Sequence, residues 1–298
     1  MEFEGIITPI VTPFTDDTQV IDLNETRKLV NRLIERGVHG LFPLGTNGEF
    51  HVLSEEEKIA FAKTVIEETN HRVPVYVGTG ANSTQEVIRL SNIMKDLGAD
   101  AVSVVTPYFL IPTDEEIVNH YKMIAKNVDL PIIIYNIPKC TGMNLSADVL
   151  KQLIHCPNIK AIKDSSGNMD NLKSYIEAVK GTDIKVLVGS DSAILKGLQL
   201  GAHGAVAGTS NCITKEILGI YNSYKSNDLE KAKAYQDSIE PYRAVLKLAT
   251  TPAIMKMSVS LDGKGCNAGP ARYPVSPLND EQIEKVKEVM EYYHNLVI

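Results

Sequence analysis

Eight repeats of a short apolar run followed by a longer amphipathic segment predict an α/β protein, a (βα)8 TIM barrel with a C-terminal helical extension. The runs VPVYVG, AVSVV and PIIIYN are apolar throughout, as strands covered on both faces by helices must be. Strict alternation of strand and helix makes the sheet parallel, and eight such units close most simply into a barrel. A doubly wound open sheet is the alternative, but neither a GxGxxG nor a GxxxxGK[ST] phosphate loop occurs to support it.

Taken in order, the expected strands are Gly5–Phe14, His39–Gly45, Val73–Thr79, Ala101–Pro107, Pro131–Ile137, Ile159–Asp164, Lys185–Gly189 and Gly204–Gly208. Ser54 with Glu57, Ser83 with Glu86, and Thr113 with Glu116 have the spacing of a capping box, in which hydroxyl and carboxylate satisfy the amides of a helix start. The phrases RGVHG, LGADA and LGAHG each place a glycine where a helix ends before the next strand. The barrel is expected over 1–223. The extension, 224–298, holds helices over Leu229–Leu248, Pro252–Leu261 and Asp280–Asn295, with the loop GKGCNAGPARYPVSP between the last two.

At 298 residues the chain fits one such barrel, a fold of about 250 residues, plus the extension. Its net charge is −7 and its basic residues are scattered, which argues against a nucleic-acid partner. No apolar run approaches the roughly 20 residues needed to span a bilayer. The opening MEFEGIITPI lacks the basic start and apolar stretch of a secretory signal. Cys140, Cys156, Cys212 and Cys266 form no CxxC pair, which suits reduced thiols in a cytoplasm.

In parallel barrels chemistry sits at the C-terminal ends of the strands. The second strand ends in Leu44-Gly45-Thr46-Asn47-Gly48-Glu49, a loop whose amides can approach an anion closely, or simply a tight turn. The fifth ends in Tyr135-Asn136-Ile137-Pro138, and a lone tyrosine at a strand end is more often used for packing than for catalysis. The sixth carries Lys160, expected to snorkel to solvent, and Lys163, the last residue of an apolar run before Asp164-Ser165-Ser166, which reads as a helix cap. A lysine inside a barrel mouth is costly unless paired or lowered in pKa, and that lowering makes an amine nucleophilic. A structural lysine is the plainer alternative. Asp191 either caps the helix after the seventh strand or faces the pocket, and Ser190-Asp191-Ser192 before AILKGLQL favours the cap. The seven histidines show no HxH or HExxH spacing, so no metal is expected.

Taken together, GLFPLGTNGE, YNIPKCTG and IKDSSGN resemble the family of dihydrodipicolinate synthase and N-acetylneuraminate lyase, the pyruvate-dependent class I aldolases, over essentially the whole chain. The resemblance implies that Lys163 forms an imine with C2 of a keto acid, with no other cofactor. Tyr135 would relay protons, Thr46 would hydrogen-bond Tyr135, and the amides of Thr46 and Asn47 would hold the carboxylate. Gly45, Gly189 and Ala207 complete the substrate-binding set, and a homotetramer or homodimer is implied. The chain departs from the synthase at Asn47 (usually threonine), at Cys140 (usually an arginine that clamps the aldehyde's carboxylate) and at Phe109 (usually a tyrosine). It departs from the neuraminate lyase at Asp164-Ser165 and Gly189-Ser190-Asp191-Ser192. Arg243 or Arg272 is left as a substitute for the clamp. These departures put first an aldolase that cleaves a 2-keto-3-deoxy sugar acid or 4-hydroxy-2-keto acid to pyruvate and an aldehyde. Condensation of pyruvate with aspartate semialdehyde comes second. A non-catalytic keto-acid binder is third, disfavoured because a binder need not keep a proton relay.

Overall fold

The computed structural model describes residues 3–16, 19–262 and 265–298. They form β1 (Gly5–Thr8), α1 (Leu23–Glu35), β2 (Gly40–Leu41), α2 (Glu55–Thr69), β3 (Tyr76–Gly78), α3 (Thr84–Asp96), β4 (Ala101–Val105), α4 (Asp114–Asn127) and β5 (Ile132–Asn136). Two short helices follow, α5 (Pro138–Thr141) and α6 (Ala147–Leu153), then β6 (Ile159–Asp164), α7 (Met169–Ala178), β7 (Lys185–Val188), α8 (Ile194–Leu200), β8 (Gly204–Val206) and α9 (Thr214–Lys225). The extension adds α10 (Leu229–Ser238), α11 (Glu240–Leu246), α12 (Ala253–Leu261) and α13 (Asp280–Asn295). The strands lie in the order β2-β1-β8-β7-β6-β5-β4-β3 with parallel pairing, the (βα)8 fold that the alternation predicts. No described helix is long and apolar enough to cross a membrane.

The chain divides into two compact units, Met1–Gly5 with Pro74–Ala207 and Ile6–Val73 with Gly208–Ile298. In the first, every residue of β4 and β5 is buried, as their continuous apolar sequences require. Thr113 and Glu116 close the expected capping box on α4. Ser83 caps nothing with its side chain; Glu86 is turned to Arg89 instead, 2.8 Å away. Gly98 and Gly201 take φ of +93° and +109°, the left-handed conformation that ends α3 and α8. Asp191 is not the cap of α8: it opens a short 3-10 turn, Asp191–Ala193, and α8 starts from Ala193 without a side-chain cap.

In the second unit Ser54 and Glu57 form the capping box of α2. Arg36 reaches Asp262 at 2.6 Å, fastening α1 to the residue that follows α12. Three expectations change. β1 stops at Thr8 because Pro9, the next residue, has no N–H for the sheet ladder, and Pro13 repeats the interruption. β2 is two residues long, with Pro43 and the left-handed Leu44 (φ +60°) beyond it. The helix expected over Leu229–Leu248 is two, α10 and α11, divided where Pro241 sits in the first turn of α11. Of the loop GKGCNAGPARYPVSP, Gly263 and Lys264 lie outside the described residues, as do Met1 and Glu2 of the opening segment.

Candidate active site

Within the first unit, β5 and β6 run parallel with Tyr135 beside Lys163 and Asn136 beside Asp164. Side chains alternate along a strand, so Tyr135 and Lys163 share one face while Asn136 and Asp164 share the other. Tyr135 and Lys163 are each 4% exposed, and the ammonium sits 3.8 Å from the centre of the phenol ring. A cation over an aromatic face gains about 0.5–2 kcal/mol, which offsets part of the cost of drawing the amine out of water. Lys160, three residues earlier, is half-buried.

The other face carries a hydrogen-bonded knot. Asp164 Oδ1 accepts from Asn136 Nδ2 (2.9 Å), the Ser166 amide (3.1 Å) and Asn171 Nδ2 (3.2 Å), while Oδ2 accepts from Ser166 Oγ (2.8 Å). Asn136 Oδ1 in turn accepts from the Leu145 amide at 3.0 Å. Asp164-Ser165-Ser166 is therefore not the cap of α7; Asn168 is, accepting from the amides of Asp170 and Asn171. The Asp164 carboxylate instead locks the ends of β5 and β6 together one residue beyond Tyr135 and Lys163.

Gly189, directly after β7, packs against this turn: its amide donates to Asp164 O at 2.7 Å, and a Cβ there would lie 2.0 Å from Ser165 Oγ. Ala207 is fully buried one residue past β8. Cys140 is exposed on α5. Desolvation around its sulfur nonetheless raises the thiol above its usual pKa, against the pull of the Lys139 and Lys163 charges. Position 140 thus presents a neutral thiol. Tyr108 is half-buried with its amide on Asn82 Oδ1 (2.8 Å), and Phe109 stands 91% exposed.

In the second unit Gly45–Glu49 is a tight turn, with the Gly48 amide on Gly45 O (3.0 Å) and the Glu49 amide on Thr46 O (3.1 Å). Thr12 Oγ1 donates to Gly48 O at 2.6 Å, and a Cβ on Gly48 would crowd Ile10 O at 3.1 Å. Gly45 is buried, and Thr46 and Asn47 are half-buried. The Asn47 amide lies against Gly208, where a Cβ would come within 2.8 Å of Asn47 Nδ2. The loop closes at Glu49, a non-glycine residue in the left-handed conformation (φ +56°) and only 1% exposed.

That strain has an anchor which sequence reasoning passed over. Glu49 Oε1 pairs with Lys256 Nζ at 3.1 Å, and Oε2 accepts the Arg272 amide at 2.8 Å. Lys256 stood in the sequence only as the one charged residue of an otherwise largely apolar helix, AIMKMSVSL, and that isolation was the available signal. Neither arginine proposed as a clamp is spare. Arg272 forks onto both oxygens of Glu57 at 2.7 Å, and Arg243 pairs with Glu240 at 2.7 Å.

The family model of the dihydrodipicolinate synthetase family matches residues 2–292. A 4-hydroxy-tetrahydrodipicolinate synthase of Halalkalibacterium halodurans is 36% identical over 298 residues, covering all of both chains. Among solved structures, a dihydrodipicolinate synthase of Bacillus anthracis superimposes with a TM-score of 0.93 at 33% identity, covering 98% of each chain. A prophage protein of Escherichia coli that belongs to the same family, in complex with pyruvate, gives 0.94 at 31%, covering 99% of each. With buried Lys163 and Tyr135 on neighbouring strand ends and a match along almost its whole length, the chain belongs to the dihydrodipicolinate synthetase family, Schiff-base-forming lyases that act on pyruvate.

Proposed function

We propose that this chain makes or breaks a carbon–carbon bond at C3 of pyruvate, with the keto acid held as an imine on Lys163. The observation that carries this is the register of β5 and β6, which sets a buried amine against a buried phenol at two strand ends. The amine adds to C2, and loss of water leaves a protonated imine. That imine accepts the electron pair of a C3–H or C3–C4 bond, giving an enamine. In cleavage the C4 hydroxyl loses its proton as the aldehyde leaves; in condensation the enamine attacks the aldehyde and its oxygen gains one. Tyr135 is assigned the proton transfers, and Gly45, Thr46 and Asn47 the carboxylate. Gly189 and Ala207 complete the substrate-binding set. Kinship also supports a homodimer or homotetramer, to be read by sedimentation.

Two acceptors remain in competition, each with its own support. The relatives' names favour aspartate semialdehyde over the sugar-acid aldehydes that the sequence puts first, and kinship gives that reading the greater weight. Against it stands Cys140, whose neutral thiol offers only a weak donor to an anionic aldehyde, with Arg243 and Arg272 already engaged. Two assays with the same enzyme decide. One follows pyruvate released from a panel of 2-keto-3-deoxy acids; the other follows condensation of pyruvate with aspartate semialdehyde. The higher kcat/KM names the reaction, and failure of both overturns the proposal.

A further inference from the structure

Lys256 is fully buried on α12, in the C-terminal extension, with Glu49 as its carboxylate partner. It also lies 3.9 Å from the centre of the Phe14 ring, and the Arg272 guanidinium lies 4.4 Å from that same ring. Arg272 is held in turn by Glu57 and by the carbonyls of Val52 and Gln19. Among the described residues, Glu49, Arg272 and, behind Arg272, Glu57 are the charges that face the amine.

Such a pair is an expensive way to stabilise a fold, since apolar residues of the same volume often do as well or better. Its location suggests another use. Glu49 is the one acidic residue of the Gly45–Glu49 turn, and it is held in a backbone conformation that costs a non-glycine residue of order 1–3 kcal/mol. Both its carboxylate oxygens are fixed by residues of the extension, Lys256 and the Arg272 amide. The carboxylate therefore ties the end of the turn to the extension.

We infer that Glu49 and Lys256 are a positioning pair through which the C-terminal extension holds the Gly45–Asn47 loop in its carboxylate-binding shape. This rests on the proposed role of that loop. Neither residue touches substrate; both act through the loop.

The test uses the full-length enzyme, the single variant Glu49→Gln and the double variant Glu49→Gln/Lys256→Met, which removes both charges and spares the fold an orphaned ion. Saturation of borohydride trapping at Lys163 gives apparent dissociation constants for pyruvate and for methyl pyruvate, which has the ketone without the carboxylate. The expected result is a rise of about tenfold or more for pyruvate in both variants, equivalent to the loss of about 1.4 kcal/mol. Methyl pyruvate should stay within twofold, with the trapping rate at saturation unchanged. The wild-type preference for pyruvate should also decline as pH rises through the titration of Lys256 and be flat in the double variant. A preference that survives intact in both variants, or an equal loss for both ketones, overturns the inference alone. Equal affinity of the wild type for the two ketones removes the loop's carboxylate role, and the inference with it.

Discussion

A phenol that only packs can be replaced by phenylalanine with little effect on turnover, whereas one that carries protons cannot. Tyr135 is buried against Lys163, so Tyr135→Phe keeps the ring under the ammonium and removes only the hydroxyl. Turnover should fall by about 10²–10⁴-fold, the usual contribution of a positioned acid or base, while borohydride still traps pyruvate on Lys163. Near-normal turnover would make the ring a packing element. Lys256 gives a second prediction at this scale. Burial brings it down to about 8, against the opposing pull of Glu49, with Arg272 adding to the fall. Above that pH the folded chain has shed a proton that the unfolded chain keeps until its ordinary value of 10.5. The sign follows: this group's contribution to stability grows as pH rises between those values, even as the pair with Glu49 is lost. Urea unfolding should therefore shift in favour of the wild type, relative to Glu49→Gln/Lys256→Met, as pH rises. A shift the other way would contradict the assignment.

At the scale of elements, the knot on Asp164 fixes where β5 and β6 end relative to each other. Asp164→Ala leaves Asn136 and Asn171 donors without their acceptor, and hydrogen bonds to a charged group contribute about 1.5–3 kcal/mol each. A loss of stability of about 3 kcal/mol in urea unfolding is expected, with a fall in kcat larger than that in Asp164→Asn, which keeps an acceptor. α5 carries the acceptor question. Cys140→Arg should raise kcat/KM for aspartate semialdehyde at least about tenfold if the thiol is what limits that substrate. No change would place the limit elsewhere. Much at this scale was legible in advance: the capping boxes at Ser54 and Thr113 and the glycine ends at Gly98 and Gly201 are local patterns, and they form as read. What failed was decided by tertiary partners. Ser83 lost its partner Glu86 to Arg89, and Asp164 was taken from the cap of α7 by Asn136 across the strands.

For the whole molecule, eight apolar runs alternating with amphipathic segments were enough to give the (βα)8 fold, because period and burial are written along the chain. Lys163 stood out because it ends an apolar strand, whereas Tyr135, 28 positions before it, read as packing until the family resemblance singled it out. The Glu49–Lys256 pair was not legible, since its members stand 207 positions apart and neither belongs to a repeating pattern. The central claim concerns one nitrogen atom. Incubation with pyruvate and borohydride, followed by digestion and mass mapping of the modified peptide, tests it without knowledge of the acceptor. The account predicts one stable pyruvate adduct per chain, on Lys163, absent in Lys163→Ala. An adduct on Lys160 or Lys256 instead, or none at all, would contradict it.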